Sequence, residues 1–153
     1  MDVAEAAAAA APALFSVGYE GRDLDAFVEL LQDNGVTVLL DVRLNAISRK
    51  PGFSKARLTA ALADAGIAYR HARALGNPKD NREPFHSADP QRGVRAFRAL
   101  LASDDAGLEL GRLAELLGTE RVAVFCFERD HDRCHRQVIV DRIGAGRPVV
   151  RLG

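Results

Sequence analysis

The sequence predicts a three-layer α/β fold: a mainly parallel sheet of about five strands with helices on both faces. Three observations carry that expectation. Short apolar runs alternate with stretches of helical periodicity from Leu14 to Leu152. The run Val36 to Val42 (VTVLLDV) has no polar alternation in its core, which suits a strand covered on both sides. A second such run, Arg121 to Phe127, is the most apolar of the strand candidates.

Leu14 to Gly18 is short, apolar and ends in glycine, as a first strand would. Asp23 is placed to cap a helix carrying Leu24, Phe27, Val28, Leu30 and Leu31 at helical spacing, closed by Asn34-Gly35. After the strand at 36–42, Arg43 to Phe53 reads as a loop punctuated by Pro51-Gly52. Ser54 then caps a helix with Leu58, Ala61 and Leu62 inward, ending at Gly66, and Ile67 to His71 is a third strand. A long polar connection runs from there to Asp89-Pro90, a cap followed by a proline at the first helical position. Two leucine-bearing helical stripes follow: Val94, Phe97, Leu100 and Leu101, then Leu108 to Leu117. The strand 121–127, a helix over 134–143 and a short strand over 148–152 complete a fold of the Rossmann-like or flavodoxin-like kind.

The composition narrows the function classes. With 48% hydrophobic and 27% charged residues, 153 residues suffice for one domain with a proper core, expected over 13–153 behind a frayed Ala-rich tail at 1–12. Net charge is zero, so no global field draws the chain to nucleic acid or membrane. No apolar run approaches the ~20 residues that span a bilayer. The Ala-rich start has Asp2 and Glu5 but no Lys or Arg, unlike a secretory signal. Two cysteines are too few for a disulfide framework. The expectation is a reduced, cytoplasmic protein without a membrane partner, and a homodimer is compatible with it.

Parallel strands place their carboxyl ends on one rim, where ligands of such folds bind. That rule gathers Tyr19, Glu20, Asp41, Arg43, His71, Cys126 and Glu128, with the helix start at His135-Arg136 beside them. The segment 42–63 holds Arg43, Arg49, Lys50, Lys55 and Arg57 and no acid. Those cations, with Ser48 as a further donor, favour a phosphate, a carboxylate or a nucleic-acid backbone; the bland alternative is a solvated basic loop. Cys134, at a helix start among Arg133, His135 and Arg136, is a candidate nucleophile, because cations and a helix dipole favour the thiolate. His135 is a candidate base. Arg136 can reach Asp41 or Glu128, and such buried pairs are often structural. Cys126 reads mainly as a strand residue. The FERDHD stretch after it is too acidic to cradle an anion alone. His131 reads as an exposed turn residue. With no C-x-x-C and seven residues between the cysteines, the spacing lies outside that of structural zinc, and neither metal nor cofactor is expected.

Four motifs in order resemble a bacterial and archaeal family, domain of unknown function 488. They are Ser16 to Gly21 (SVGYEG), Asp41-Val42-Arg43 with Ser48 to Phe53, Tyr69 with Leu75-Gly76, and Cys126-Phe127-Glu128 with Cys134-His135-Arg136. The resemblance covers roughly residues 14–143 and implies a compact α/β fold and a shared site, but no activity. Two features depart from the family pattern: Asn45-Ala46 stands where a proline is usual, and NPKDNR follows Leu75-Gly76.

Three functions follow as expectations. The first is an enzyme acting on a phosphorylated or nucleic-acid-related substrate. Arg43, Arg49 and Arg136 would hold the anion with Tyr19, Ser48 and Glu128 around it, Cys134 or His135 would react, and Asp41 and Glu128 would orient them. The second is a non-catalytic module binding nucleic acid or a nucleotide through the basic loop. The third is a rhodanese-like sulfurtransferase using Cys126, echoed by the Asp41-Val42-Arg43 triplet.

Overall fold

A computed structural model describes residues 11–144 and 147–153. Its strands are β1 (Ala13–Gly18), β2 (Val38–Asp41), β3 (Ala68–His71), β4 (Arg121–Cys126) and β5 (Val149–Leu152). They form one all-parallel sheet in the order β3-β2-β4-β1-β5. Helices α1 (Leu24–Asp33) and α2 (Lys55–Asp64) cover one face. Helices α3 (Arg82–His86), α4 (Pro90–Leu100), α5 (Asp104–Leu116) and α6 (Arg136–Ile143) cover the other. The expected three-layer α/β architecture is therefore the observed one.

Side chains alternate across each strand, so the central strands β1, β2 and β4 each feed two cores. Phe15, Leu39, Ala123 and Phe125 meet Phe27 and Leu31 of α1 and Leu58 and Leu62 of α2. Leu14, Leu40, Val122, Val124 and Cys126 meet Phe85, Phe97, Leu110, Leu113 and Ile139 on the opposite side. Each fully buried large apolar side chain contributes about 1.5–3 kcal/mol relative to exposure. The two-sided burial accounts for the unalternated apolar runs.

Local signals set the helix starts. Asp23 Oδ1 accepts from Ala26 N at 2.8 Å and opens α1. Ser103 does the same for α5 through Ala106 N at 3.2 Å. Ser54 differs from its expected capping role: its hydroxyl donates to Ser48 O at 3.2 Å and accepts from Ser48 N at 2.9 Å, so it ties the 43–53 loop instead. The connection after β3 is more structured than its polarity suggests. It holds two single 3-10 turns, Arg73–Leu75 and Lys79–Asn81, and then α3, anchored by buried Asn77, Asn81 and Phe85. Helix α6 begins at Arg136, two residues later than the periodicity suggests, with His135 at its cap. Residues 1–10 of the expected tail lie outside the described residues. No helix among the described residues is long and apolar enough to cross a membrane.

The strand order also says where a crevice must open. The chain leaves β1 and β2 toward the β3 edge on one face, but leaves β4 toward β5 on the other. Strand β4 lies between β1 and β2, so its exit diverges from both neighbours. Register brings Gly18 beside Cys126 and Asp41 beside Phe125 and His71 at that rim. The divergence is the topological switch at which ligands of open α/β sheets bind.

Candidate functional site

A pocket of about 270 Å³ occupies this crevice. Its floor holds Cys126, Cys134 and His135; Tyr19, Phe85 and Phe127 supply apolar wall; Arg49, Arg82 and Arg133 stand at its mouth. Ser48, Arg43 and Glu128 also line it.

Asp41 and Arg43 sit two residues apart at the end of β2, so both project to one side of the extended chain. Asp41 is wholly buried and accepts from Arg43 Nε at 2.9 Å, from its terminal NH2 nitrogen at 2.7 Å and from its backbone N at 3.1 Å. Tyr69 donates its hydroxyl to the same carboxylate at 2.6 Å. Arg43 NH1 donates across the loop to Phe53 O at 2.7 Å, and the guanidinium lies over the rings of Tyr19 and Phe125. Burial opposes the Arg43 charge, but the Asp41 hydrogen bonds outweigh it and raise the pKa. Burial and then Asp41 likewise push the Tyr69 hydroxyl up. Arg43 is thus engaged by its own loop and Arg133 pairs with Asp130, so that among the guanidiniums lining the pocket Arg49 and Arg82 are the two that make no ion pair or hydrogen bond to the described residues.

Two imidazoles pin the same loop from opposite sides. His71 Nε2 donates to Arg43 O at 2.7 Å and His135 Nε2 donates to Val42 O at 2.7 Å, because a carbonyl can only accept. His135 therefore turns an unprotonated Nδ1 toward Cys134 Sγ, 3.5 Å away. Burial above all, with Arg136 and Arg82 adding to it, lowers the His135 pKa to about 4. The sulfur atoms of Cys126 and Cys134 meet, with their Cα atoms 7.9 Å apart, and Glu128 Oε2 stands 3.3 Å from Cys126 Sγ. The strand residue Cys126 therefore belongs to the site floor as well as to the core.

Arg136 lies beneath this floor and does not line the pocket. It pairs with neither Asp41 nor Glu128: it donates to Val17 O, and its Nε has no partner. Burial holds its pKa down at about 10 against the pull of Glu128 and Asp130. His131 is not an exposed turn residue. It is buried, with Nδ1 2.6 Å from Ser16 Oγ, so it fastens the turn after β4 onto β1.

Burial first, then Arg151 and Arg136, lowers the His131 pKa to about 4, while Asp132 and Asp141 oppose this. An unfolded histidine titrates near 6.5. Below that pH the unfolded chain takes up a proton that the folded chain refuses until about pH 4, so stability falls as pH falls through this window. At pH 5 His131 alone should cost about 2 kcal/mol relative to pH 7. Urea unfolding of the parent and of His131→Gln at both pH values checks it. A pH dependence identical in the two proteins would refute the buried neutral histidine.

The rim residues Tyr19, Asp41, Arg43, Cys126 and Glu128 are brought together with Cys134 and His135; Glu20 instead accepts from Arg129 N at 3.1 Å, away from the floor. Arg82, Arg133, Asn77 and Phe85 were not candidates from sequence. The NPKDNR segment after Leu75-Gly76 was the available signal, since it delivers Asn77 and Arg82 to the pocket. The loop at Asn45 is clamped by Arg73 NH1 to Leu44 O and to Asn45 Oδ1, both at 2.8 Å.

A family model described as "Domain of unknown function DUF488" matches residues 23–143. The chain belongs to the DUF488 family. Most of the pocket thus lies within the DUF488 match, including Arg43, Cys126, Cys134 and His135; Tyr19 precedes it. Neither a search of curated proteins nor one of solved structures finds a match.

Proposed function

We propose that the rim pocket of this DUF488 chain is the active site of an enzyme acting on a small phosphate-bearing substrate. One observation carries the reading. A single pocket has two buried cysteine sulfurs, in contact with each other, and an imidazole at its floor and Arg49 and Arg82, uncommitted to any carboxylate among the described residues, at its mouth. Free guanidiniums recognise phosphate oxygens in bidentate fashion. A cleft with cations at its entrance raises the local concentration of anions. A volume of 270 Å³ fits a small molecule or the end group of a larger one.

The roles sort by what each group touches. Arg49 and Arg82, joined by Arg133, hold the anion, and Ser48 adds a donor at the wall. Asp41 and Arg43 position the loop that carries Ser48 and Arg49. Cys134 and His135 form the reactive centre with Cys126, and Glu128 stands beside it as the proton carrier. Arg136 positions the start of α6 from below.

Calorimetric titration with inorganic phosphate at low ionic strength tests the reading. The parent should bind, and the double variant Arg49→Ala/Arg82→Ala should bind at least about tenfold more weakly, a loss of ~1.4 kcal/mol or more. Its melting temperature should not move, because both side chains are exposed. Equal phosphate affinity in the two proteins, or no binding by the parent, overturns the proposal.

A further inference from the structure

We infer that Cys126, Cys134 and His135 form a metal centre for a borderline-soft divalent cation, zinc first, with one coordination position turned to the rim pocket. The inference rests on the pocket reading only for what the open position faces. The metal site itself stands on separate observations.

The donor atoms converge. Both sulfurs and a ring nitrogen of His135 lie within 4.8 Å of one another, and all three residues are buried. Thiolate and imidazole are the donors that zinc and its neighbours take from proteins, and a Cys2His set with a free fourth position is a known catalytic arrangement. The histidine is prepared for this role. Its Nε2–H is spent on Val42 O at 2.7 Å, which leaves Nδ1 as the lone pair facing Cys134. A hydrogen bond from the other ring nitrogen to a carbonyl fixes the tautomer and ring orientation of metal-binding histidines.

The backbone argues the same way. A relaxed disulfide spans roughly 4.4–6.8 Å between Cα atoms, whereas those of Cys126 and Cys134 are 7.9 Å apart. A cation bridging two thiolates suits this backbone separation, the sulfurs that now meet parting by side-chain rotation to receive it. The residues are also delivered by rigid parts of the fold: Cys126 ends β4 and His135 caps α6. The seven-residue gap between the cysteines matters only for ligands supplied by one short loop.

Binding of the cation displaces the two thiol protons to solvent, so the neutral donor set becomes a dithiolate and the net charge of the site is unchanged. The remaining position faces a pocket that Glu128 lines, its carboxylate 3.3 Å from Cys126 Sγ. A Lewis acid there polarises a phosphoryl or carbonyl oxygen, or activates a water, with Glu128 in reach to carry its proton.

Cobalt(II) is the probe, because its visible spectrum reports tetrahedral thiolate coordination. The untagged, reduced chain should take up one cobalt with sulfur-to-metal charge-transfer bands, and zinc should displace it. Cys134→Ser and Cys126→Ser should each lower affinity by more than about hundredfold, since even outer-shell partners of a metal are worth about 10–100-fold. Zinc should also shield both cysteines of the parent from alkylation, a readout that needs no variant to fold. Arg49→Ala/Arg82→Ala should bind cobalt like the parent, so that failure of phosphate binding and failure of the metal site are seen separately. Absence of a one-to-one tetrahedral spectrum in the reduced parent, or alkylation unaffected by zinc, overturns the inference.

Discussion

Asp41→Ala is expected to cost about 3–5 kcal/mol, the range for stranding a buried charge by removing its partner. Asp41 accepts four hydrogen bonds from Arg43 side-chain and backbone donors and a fifth from Tyr69, with no exposure to solvent. Without it, the guanidinium remains among the rings of Tyr19 and Phe125 with Phe53 O as its main acceptor. A domain of this size has ~5–15 kcal/mol of stability in all, so the variant should melt far below the parent. Urea unfolding measures the loss. The double variant Asp41→Ala/Arg43→Met, which removes the stranded charge, should recover a large part of it. A loss below about 1 kcal/mol in the single variant would mean that solvent reaches Arg43 and that the pair is not a structural element.

Gly18→Ala should have the second largest effect. A Cβ on Gly18 would fall 1.9 Å from Glu128 O and 2.8 Å from Arg129 Cα, and both are backbone. That backbone cannot swing aside freely, because Tyr19 N and Glu20 N donate to Cys126 O and Phe127 O at 3.3 and 2.9 Å. Either β1 shifts or the 127–129 turn lifts, and typical overpacking costs about 1–3 kcal/mol. The variant should lose phosphate affinity along with stability, since Phe127 and Glu128 line the pocket. Gly107→Ala is the control: it lies exposed in α5 with nothing near its Cβ, and should be neutral or stabilise by up to about 1 kcal/mol. Equal stability of the two variants would show that the approach of β1 to the turn is not tight.

Much of the fold was legible because its signals are local. Asp23 before an apolar stripe specifies a cap and a helix whatever surrounds it, and the run around Leu39 and Leu40 can only be buried on both faces. The five-residue α3, with Pro84 inside it, was not legible: it has too few residues to show a period, and it exists because Phe85 is buried and Asn77 holds Asn81. At the site, the parallel direction of the strands told that the residues at the ends of β1, β2 and β4 share one rim. It could not tell a spent guanidinium from a free one, although the i, i+2 spacing of Asp41 and Arg43 was a visible hint of their pairing. Arg136 and His131 were misread for a shared reason. Each is buried by contacts with β1, more than 110 residues earlier in the chain, and their neighbours in sequence are polar.

That last distance has a consequence for how the molecule comes into being. Strand β1 pairs only with β4 and β5, whose residues begin at Arg121 and Val149, while β2 and β3 can meet as soon as both are made. During synthesis, the first strand must therefore wait, unpaired, until most of the polypeptide has left the ribosome. Contacts of such sequence separation also make folding slow. The pocket floor of Cys126, Cys134 and His135 cannot form before β4 lies between β1 and β2, so the pocket is among the later parts of the fold to take shape.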